Sequence, residues 1–178
     1  GLGDVYKRQG FCLSKTVEEP TIENSKIVVP GTTAAYSVVL KNLESGTTYY
    51  IRSYATNSKG TGYGEVAEFT TAVDIGETTV SDITDIDASA SAEILTTSDH
   101  LAITEKGFCY SSVNAVPTVA DTKKVSSKQG NDIAANLTGL TANTKYYICA
   151  YVVNEKGTYY GAVSEFTTCL LYTSPSPR

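Results

Sequence analysis

The chain contains no methionine and no tryptophan, and only one of its 178 residues, His100, is histidine. A single histidine leaves most general-base and metal arrangements without a member, and there is no His-Glu-x-x-His, no Ser-His-Asp order and no Cys-x-x-Cys. Cations are also scarce: 14 Lys and Arg stand against 19 Asp and Glu, a net charge of −5. A phosphate-binding surface needs clustered cations, so this balance argues against a nucleic-acid partner. No apolar run reaches the roughly 18 residues of a membrane-spanning helix. The hydrophobic fraction of 41% is nevertheless that of a folded chain rather than a disordered one.

What is present is repetition. Shifting the chain by 97 positions pairs residues 10–71 with 107–168 without a gap, and 26 of the 62 positions are identical. The identities cluster in blocks: Gly-Phe-Cys at 10–12 and 107–109, Pro-Thr at 20 and 117, and Phe-Thr-Thr at 69 and 166. Leu43, Thr47, Tyr49, Tyr50 and Ile51 recur as Leu140, Thr144, Tyr146, Tyr147 and Ile148. A period near 100 residues is too long for a solenoid and suits a small β-sandwich.

Within each repeat the hydrophobic period is two. Tyr146, Ile148, Ala150 and Val152 fall on one side of a strand and should face the core. Ile133, Ala135 and Leu137 alternate likewise, as do Tyr36, Val38 and Leu40, so both stretches read as strands. Asn57 to Gly60 and Asn154 to Gly157 supply the residues that tolerate positive φ and read as hairpin turns into a last strand ending at Phe69 or Phe166. No segment has helical spacing.

The run Leu140-Thr-Ala-Asn-Thr-Lys-Tyr146 resembles the fibronectin type III family, whose Leu-x-Pro-Gly-Thr-x-Tyr segment forms a tyrosine corner before strand F. Together with Gly-Phe-Cys-Tyr-Ser, Tyr-Tyr-Ile and Glu-Phe-Thr-Thr, it looks like the tandem immunoglobulin-like modules of surface and secreted proteins of gut Bacteroidetes. The family's strand B tryptophan is absent, and Ala142-Asn143 replaces Pro-Gly. The resemblance implies an all-β tandem of antiparallel sandwiches, with Leu43, Tyr49, Leu140 and Tyr146 in structural roles. Residues 73–168 would make a complete module: strand A over 78–87, strand B over 88–95 with Ala88, Ala90, Ala92 and Ile94 inward, and strand C over 101–110. Residues 10–72 would make a partial one beginning at strand C.

Both ends look foreign to that pattern. GLGDVYKRQ at 1–9 and CLLYTSPSPR at 169–178 resemble translations of the two strands of one transposase adapter used in DNA library preparation. On this reading they are non-native tails without packing contacts, and residues 10–168 are an internal piece of a longer gene.

Candidate chemistry is sparse. His100 lies in a polar turn and reads as solvated. Gly60-Thr-Gly62-Tyr-Gly64 has the look of a phosphate loop, but the glycines suit a hairpin and no helix follows. Asp82, Asp85 and Asp87 could gather around calcium, although Asp82 and Asp85 have opposite strand parity and solvated edge charges explain them as well. Cys109 and Cys149 belong to neighbouring strands C and F, so either a disulfide or free thiols are open; Cys149 points outward by parity, while Phe108 and Tyr110 compete for the inward side next to Cys109. Tyr147 and Tyr151 should point outward on strand F, joined by Tyr50, Tyr54 and Tyr159, as either a stacking platform for sugars and protein partners or plain cross-strand pairs.

These readings amount to a non-catalytic spacer or adhesion pair of modules, without cofactor, in a larger bacterial protein. Its partners would be neighbouring modules and protein or glycan ligands, and the family resemblance places it at the cell surface or outside the cell. The alternative is an accessory glycan-binding module of a carbohydrate-processing enzyme or surface lipoprotein, with the tyrosines as its platform.

Overall fold

The computed structural model describes residues 8–31, 34–96 and 102–172. It divides into two units, Gly1–Thr71 and Ala72–Arg178. His100 lies outside the described residues. Every described strand pairing is antiparallel, and no helix occurs among the described residues.

The first unit is one sheet built from β1 (Arg8–Ser14), β2 (Ser25–Val29), β3 (Thr48–Asn57), β4 (Gly60–Tyr63) and β5 (Ala67–Thr70), in the order β2-β1-β3-β4 with β5 also on β3. The second unit has two sheets. One holds β6 (Thr79–Ser81), β7 (Ala88–Glu93) and β10 (Asp132–Leu137), in the order β10-β7-β6. The other holds β8 (Glu105–Ser111), β9 (Thr122–Val125), β11 (Lys145–Asn154), β12 (Gly157–Tyr160) and β13 (Ser164–Thr167), in the order β12-β11-β8-β9 with β13 on β11.

The second unit's core lies between its sheets. Ala88, Ala90, Ile94, Ile133 and Leu137 pack in one cluster with Phe108, Tyr110, Tyr146, Ile148, Ala150, Val152 and Phe166. The period of two therefore assigns the inward face of β11 and β7 as read from the sequence, with Ala92 half-buried against the same cluster. Tyr146 is stacked on Phe166 at 5.4 Å, and its hydroxyl accepts the Thr141 N–H at 3.0 Å, which is the tyrosine corner. Tyr49 repeats it, stacking on Phe69 at 5.7 Å and accepting the Glu44 N–H at 3.0 Å. Asn143, at φ 48°, takes the left-handed position that Gly46 takes at φ 60° in the first unit, so the loss of Pro-Gly does not change the turn.

Several boundaries differ from the sequence reading. Tyr36, Val38 and Leu40 form no strand: their alternating burial survives, but they join no ladder among the described residues. The equivalent β10 is held by its ladder to β7, from Asp132 opposite Glu93 to Leu137 opposite Ala88, and the described residues of the first unit include no such strand. The expected strand A is cut to β6, because at Asp82 the chain enters the left-handed region (φ 49°) and Thr84 then closes a turn, accepting the Ile86 and Asp87 N–H groups. β8 starts at Glu105, later than the expected 101. The last strand is two, β12 and β13, both on β11.

The ends also differ. β1 starts at Arg8, Gln9 is buried, and Cys169 donates its N–H to Thr84 O at 2.9 Å while its carbonyl accepts from Asn143 N. Ladder and turn bonds use only main chain, so they extend past a sequence boundary wherever the backbone runs on. Side chains are less forgiving. The Gln9 side-chain Nε2 is buried without a partner, whereas its repeat equivalent Lys106 donates to the Gly130 carbonyl.

Candidate functional site

The outer face of the β8–β11 pair holds the second unit's unusual chemistry. Both Phe108 and Tyr110 turn into the core, which settles Cys109 on the outer side with Cys149 and Tyr151. The register sets Cys149 opposite Cys109 and Tyr151 opposite Gly107. A face of this kind is ordinarily solvated, yet Cys109, Cys149 and Tyr151 are 0–1% exposed.

The cover is the loop 112–121, which brings the buried Pro117 and the half-buried Val119 onto that face. Cys149 Sγ donates to the Pro117 carbonyl at 3.3 Å. The loop is held in shape by Asp121, whose carboxylate accepts from Thr118 N at 2.9 Å and Asn114 Nδ2 at 3.1 Å; these bonds, the backbone one foremost, hold its pKa below the usual value. Val119 N also donates to the Tyr160 hydroxyl. Glycine is required at 107 because a Cβ there would lie 2.2 Å from the Lys124 carbonyl oxygen on β9.

At the rim the Tyr151 hydroxyl donates to Glu105 Oε1 at 2.7 Å, and Lys123 Nζ reaches the same oxygen at 2.7 Å. Burial, reinforced by the bond to Glu105, pushes the Tyr151 phenol well above its ordinary value. Glu105 moves the other way, lowered by the bonds from Lys123 and then from Tyr151.

The first unit solves the same problem with different atoms. Cys12, Tyr54 and Arg52 stand where Cys109, Tyr151 and Cys149 stand in the second, and Arg52 Nε donates to the carbonyl of Pro20, the equivalent of Pro117. Its guanidinium lies 4.2 Å above the Tyr63 ring. Cys12 is fully buried, and burial pushes its thiol up.

This arrangement corrects the tyrosine platform. Tyr151 and Tyr54, expected outside, are buried at 0% and 3% exposure, Tyr151 beneath the loop 112–121 that strand parity cannot foresee. Tyr159 is half-buried against the main core. On the outer face Tyr147 and Tyr50 remain partly open, Tyr147 beneath Lys145 at 5.0 Å, with that lysine paired to Glu165. Cys109 and Cys149 are free thiols facing one another. Asp82, Asp85 and Asp87 do not converge: among the described residues no three His, Cys, Asp or Glu side chains are placed to share a metal ion. Gly60-Thr-Gly62 runs along the hairpin strand β4, with Gly64 N bonded to Ser53 O. Sequence reasoning missed Glu105, Lys123 and the cover over the face. The repeated Pro-Thr at 20 and 117 was the available signal, since each proline carbonyl receives the side chain beneath it.

The first unit also has an open groove of about 520 Å³ on the tyrosine-corner side of its sheet, lined by Leu13, Ile27, Leu40, Leu43 and Tyr49 among others.

No family model and no curated protein matches the chain. Among solved structures, a two-domain fibronectin type III segment of chicken tenascin is 18% identical, with a TM-score of 0.54 over 92% of this chain and 85% of that one. The FN1–FN3 domains of chicken CNTN1 are 18% identical at a TM-score of 0.41, over 94% of this chain and 55% of that one. The sensor domain of the anti-sigma factor RsgI4 of Pseudobacteroides cellulosolvens is 21% identical at 0.42, over 56% and 96%. The likeness to the tenascin segment is one of fold: an all-β tandem of fibronectin type III-like antiparallel modules, of which the first here contributes a single sheet among the described residues.

Proposed function

We propose that this chain is a non-catalytic pair of fibronectin type III-like modules, a spacer or adhesion segment of a larger bacterial surface or secreted protein, with residues 73–168 a complete module and 10–72 a partial one. The observation that carries this reading is the use made of the polar and aromatic groups on the outer faces. Tyr151, Glu105 and Lys123 satisfy one another, and Cys149 and Arg52 are engaged by proline carbonyls. The first three tie neighbouring strands together and the other two fasten loops to their sheets; a catalytic site instead presents a nucleophile and its base to a cavity. The repeat supports the same conclusion, since identity is concentrated at the tyrosine corners and strand cores that maintain a module. The neighbouring modules of the same chain are its first partners.

Of its five tyrosines the glycan-binding alternative keeps Tyr147 and Tyr50 on the outer faces, and these lie on separate units, while the half-buried Tyr159 packs against the core. Titration of the full chain with a panel of soluble glycans, followed by tyrosine fluorescence, is expected to give no saturable change. A saturable change abolished by Tyr147→Ala would overturn the spacer reading in favour of the glycan module.

A further inference from the structure

We propose that Cys109 and Cys149 are a covalent modification site, at which a low-molecular-weight disulfide oxidises the two thiols to a cross-strand disulfide between β8 and β11. Three observations and one rule of sheet geometry converge on the pair. The residues are direct partners in an antiparallel ladder. Opposed Cα atoms in such ladders are about 4.5 or 5.5 Å apart, and both spacings fall within the roughly 4.4–6.8 Å that a disulfide bridges. Both side chains emerge on the outer face and lie in one buried cluster. Both are free thiols here.

The repeat supplies an internal comparison. Cys12 is buried at the position equivalent to Cys109, but its ladder partner is Arg52. The first unit therefore fastens its loop with a permanent guanidinium bond to Pro20. The second uses the Cys149 S–H on Pro117, a bond that oxidation removes while it ties the strands together.

The exchange balances as two displacements. Cys149, having given up its proton, attacks one sulfur of the small disulfide; that S–S bond breaks, and the first thiolate leaves and takes up the proton. Cys109 then attacks the Cys149 sulfur, the mixed disulfide breaks, and the second thiol leaves with the Cys109 proton. The protein pair loses two electrons and two protons, and the small disulfide becomes two thiols. The opposite order, with Cys109 attacking first, gives the same bond and the same balance, because the two residues are direct partners in the ladder. Asp121 and Lys123 are the charged groups bearing on the pair, and burial means that attack follows opening of loop 112–121.

The test uses the reduced full chain carrying Cys169→Ser, which removes the exposed thiol. After incubation with oxidised glutathione, remaining thiols are alkylated in denaturant and the chain is cut with trypsin. The expected product joins the peptide 107–123 to the peptide 146–156, two hydrogens lighter than their sum, with Cys12 fully alkylated. The urea midpoint of the second unit should rise on oxidation and return with dithiothreitol. Recovery of Cys109 and Cys149 as alkylated thiols, as stable glutathione adducts, or linked to Cys12 instead of each other would overturn the proposal.

Discussion

Replacing Tyr146 is the sharpest test of how the second unit is held together. Its ring is 8% exposed, stacked on Phe166 at 5.4 Å and set edge-on to Tyr110 at 6.2 Å, and its hydroxyl is the acceptor for Thr141 N. Tyr146→Phe keeps the packing and orphans one N–H, a loss of about 1 kcal/mol. For a unit of this size that lowers the melting temperature by roughly 4–8 °C. Tyr146→Ala also empties the ring's volume, adding about 3–5 kcal/mol. The total then approaches the whole margin of a small domain, about 5–15 kcal/mol. Tyr147, one position along on the outer face and partly open to solvent, should cost under about 1 kcal/mol when cut to alanine, the scale of a cross-strand pair. Urea unfolding followed by far-UV circular dichroism ranks the three: Tyr146→Ala far below Tyr146→Phe, with Tyr147→Ala close to the parent. If Tyr147→Ala matched Tyr146→Ala, the assignment of faces would be wrong; if Phe cost as much as Ala, the hydroxyl rather than the ring would be the support.

Three further outcomes follow from the same structure. Gly107→Ala sets a Cβ against the Lys124 carbonyl oxygen and should displace β9 at a cost of about 1–3 kcal/mol, read as lost amide protection in β9; unchanged protection would refute the close approach. Glu105 has a depressed pKa, so its contribution is complete above the unfolded carboxylate value near ~4.3 and disappears as pH falls through the lower folded value; Glu105→Gln should flatten the acid limb of stability below about pH 5, and an unchanged limb would refute it. Residues 73–168 alone should melt cooperatively without hydrolase or transferase activity, while residues 10–72 alone should be disordered or associate through their open face; cooperative melting of 10–72 would refute the single-sheet account.

The inner half of this fold was readable because one physical quantity decides it. A period of two puts alternate side chains on one face, and the residues so selected in β7 and β11 are those that meet in the core. The tyrosine corner was readable for a related reason: Leu140, Thr144 and Tyr146 all lie within one turn and strand start, so their spacing carries the geometry. The outer face was not readable in this way. Parity correctly put Tyr151 and Cys149 on the far side from the core, but that side is solvent only if nothing folds over it. What folds over it is a loop without periodicity, positioned by Asp121 and by a proline carbonyl.

Residues 36–40 and 132–137 make the complementary point about strands. Both stretches alternate in sequence, with Tyr36, Val38 and Leu40 more buried than Ser37 and Val39, and Ile133 and Leu137 buried in the other, yet only the second is a strand. Alternation states which side chains want cover; a ladder also needs a neighbouring backbone whose N–H and C=O groups are free in register. β7 provides that from Ala88 to Glu93. In the first unit Tyr36 instead turns its hydroxyl to the Gly10 and Tyr54 carbonyls, and Leu40 lines the open groove beside Leu13 and Tyr49. The same local pattern thus gives a strand or an irregular segment according to a partner that for β10 lies 39 to 49 positions away in the chain, which local sequence cannot specify.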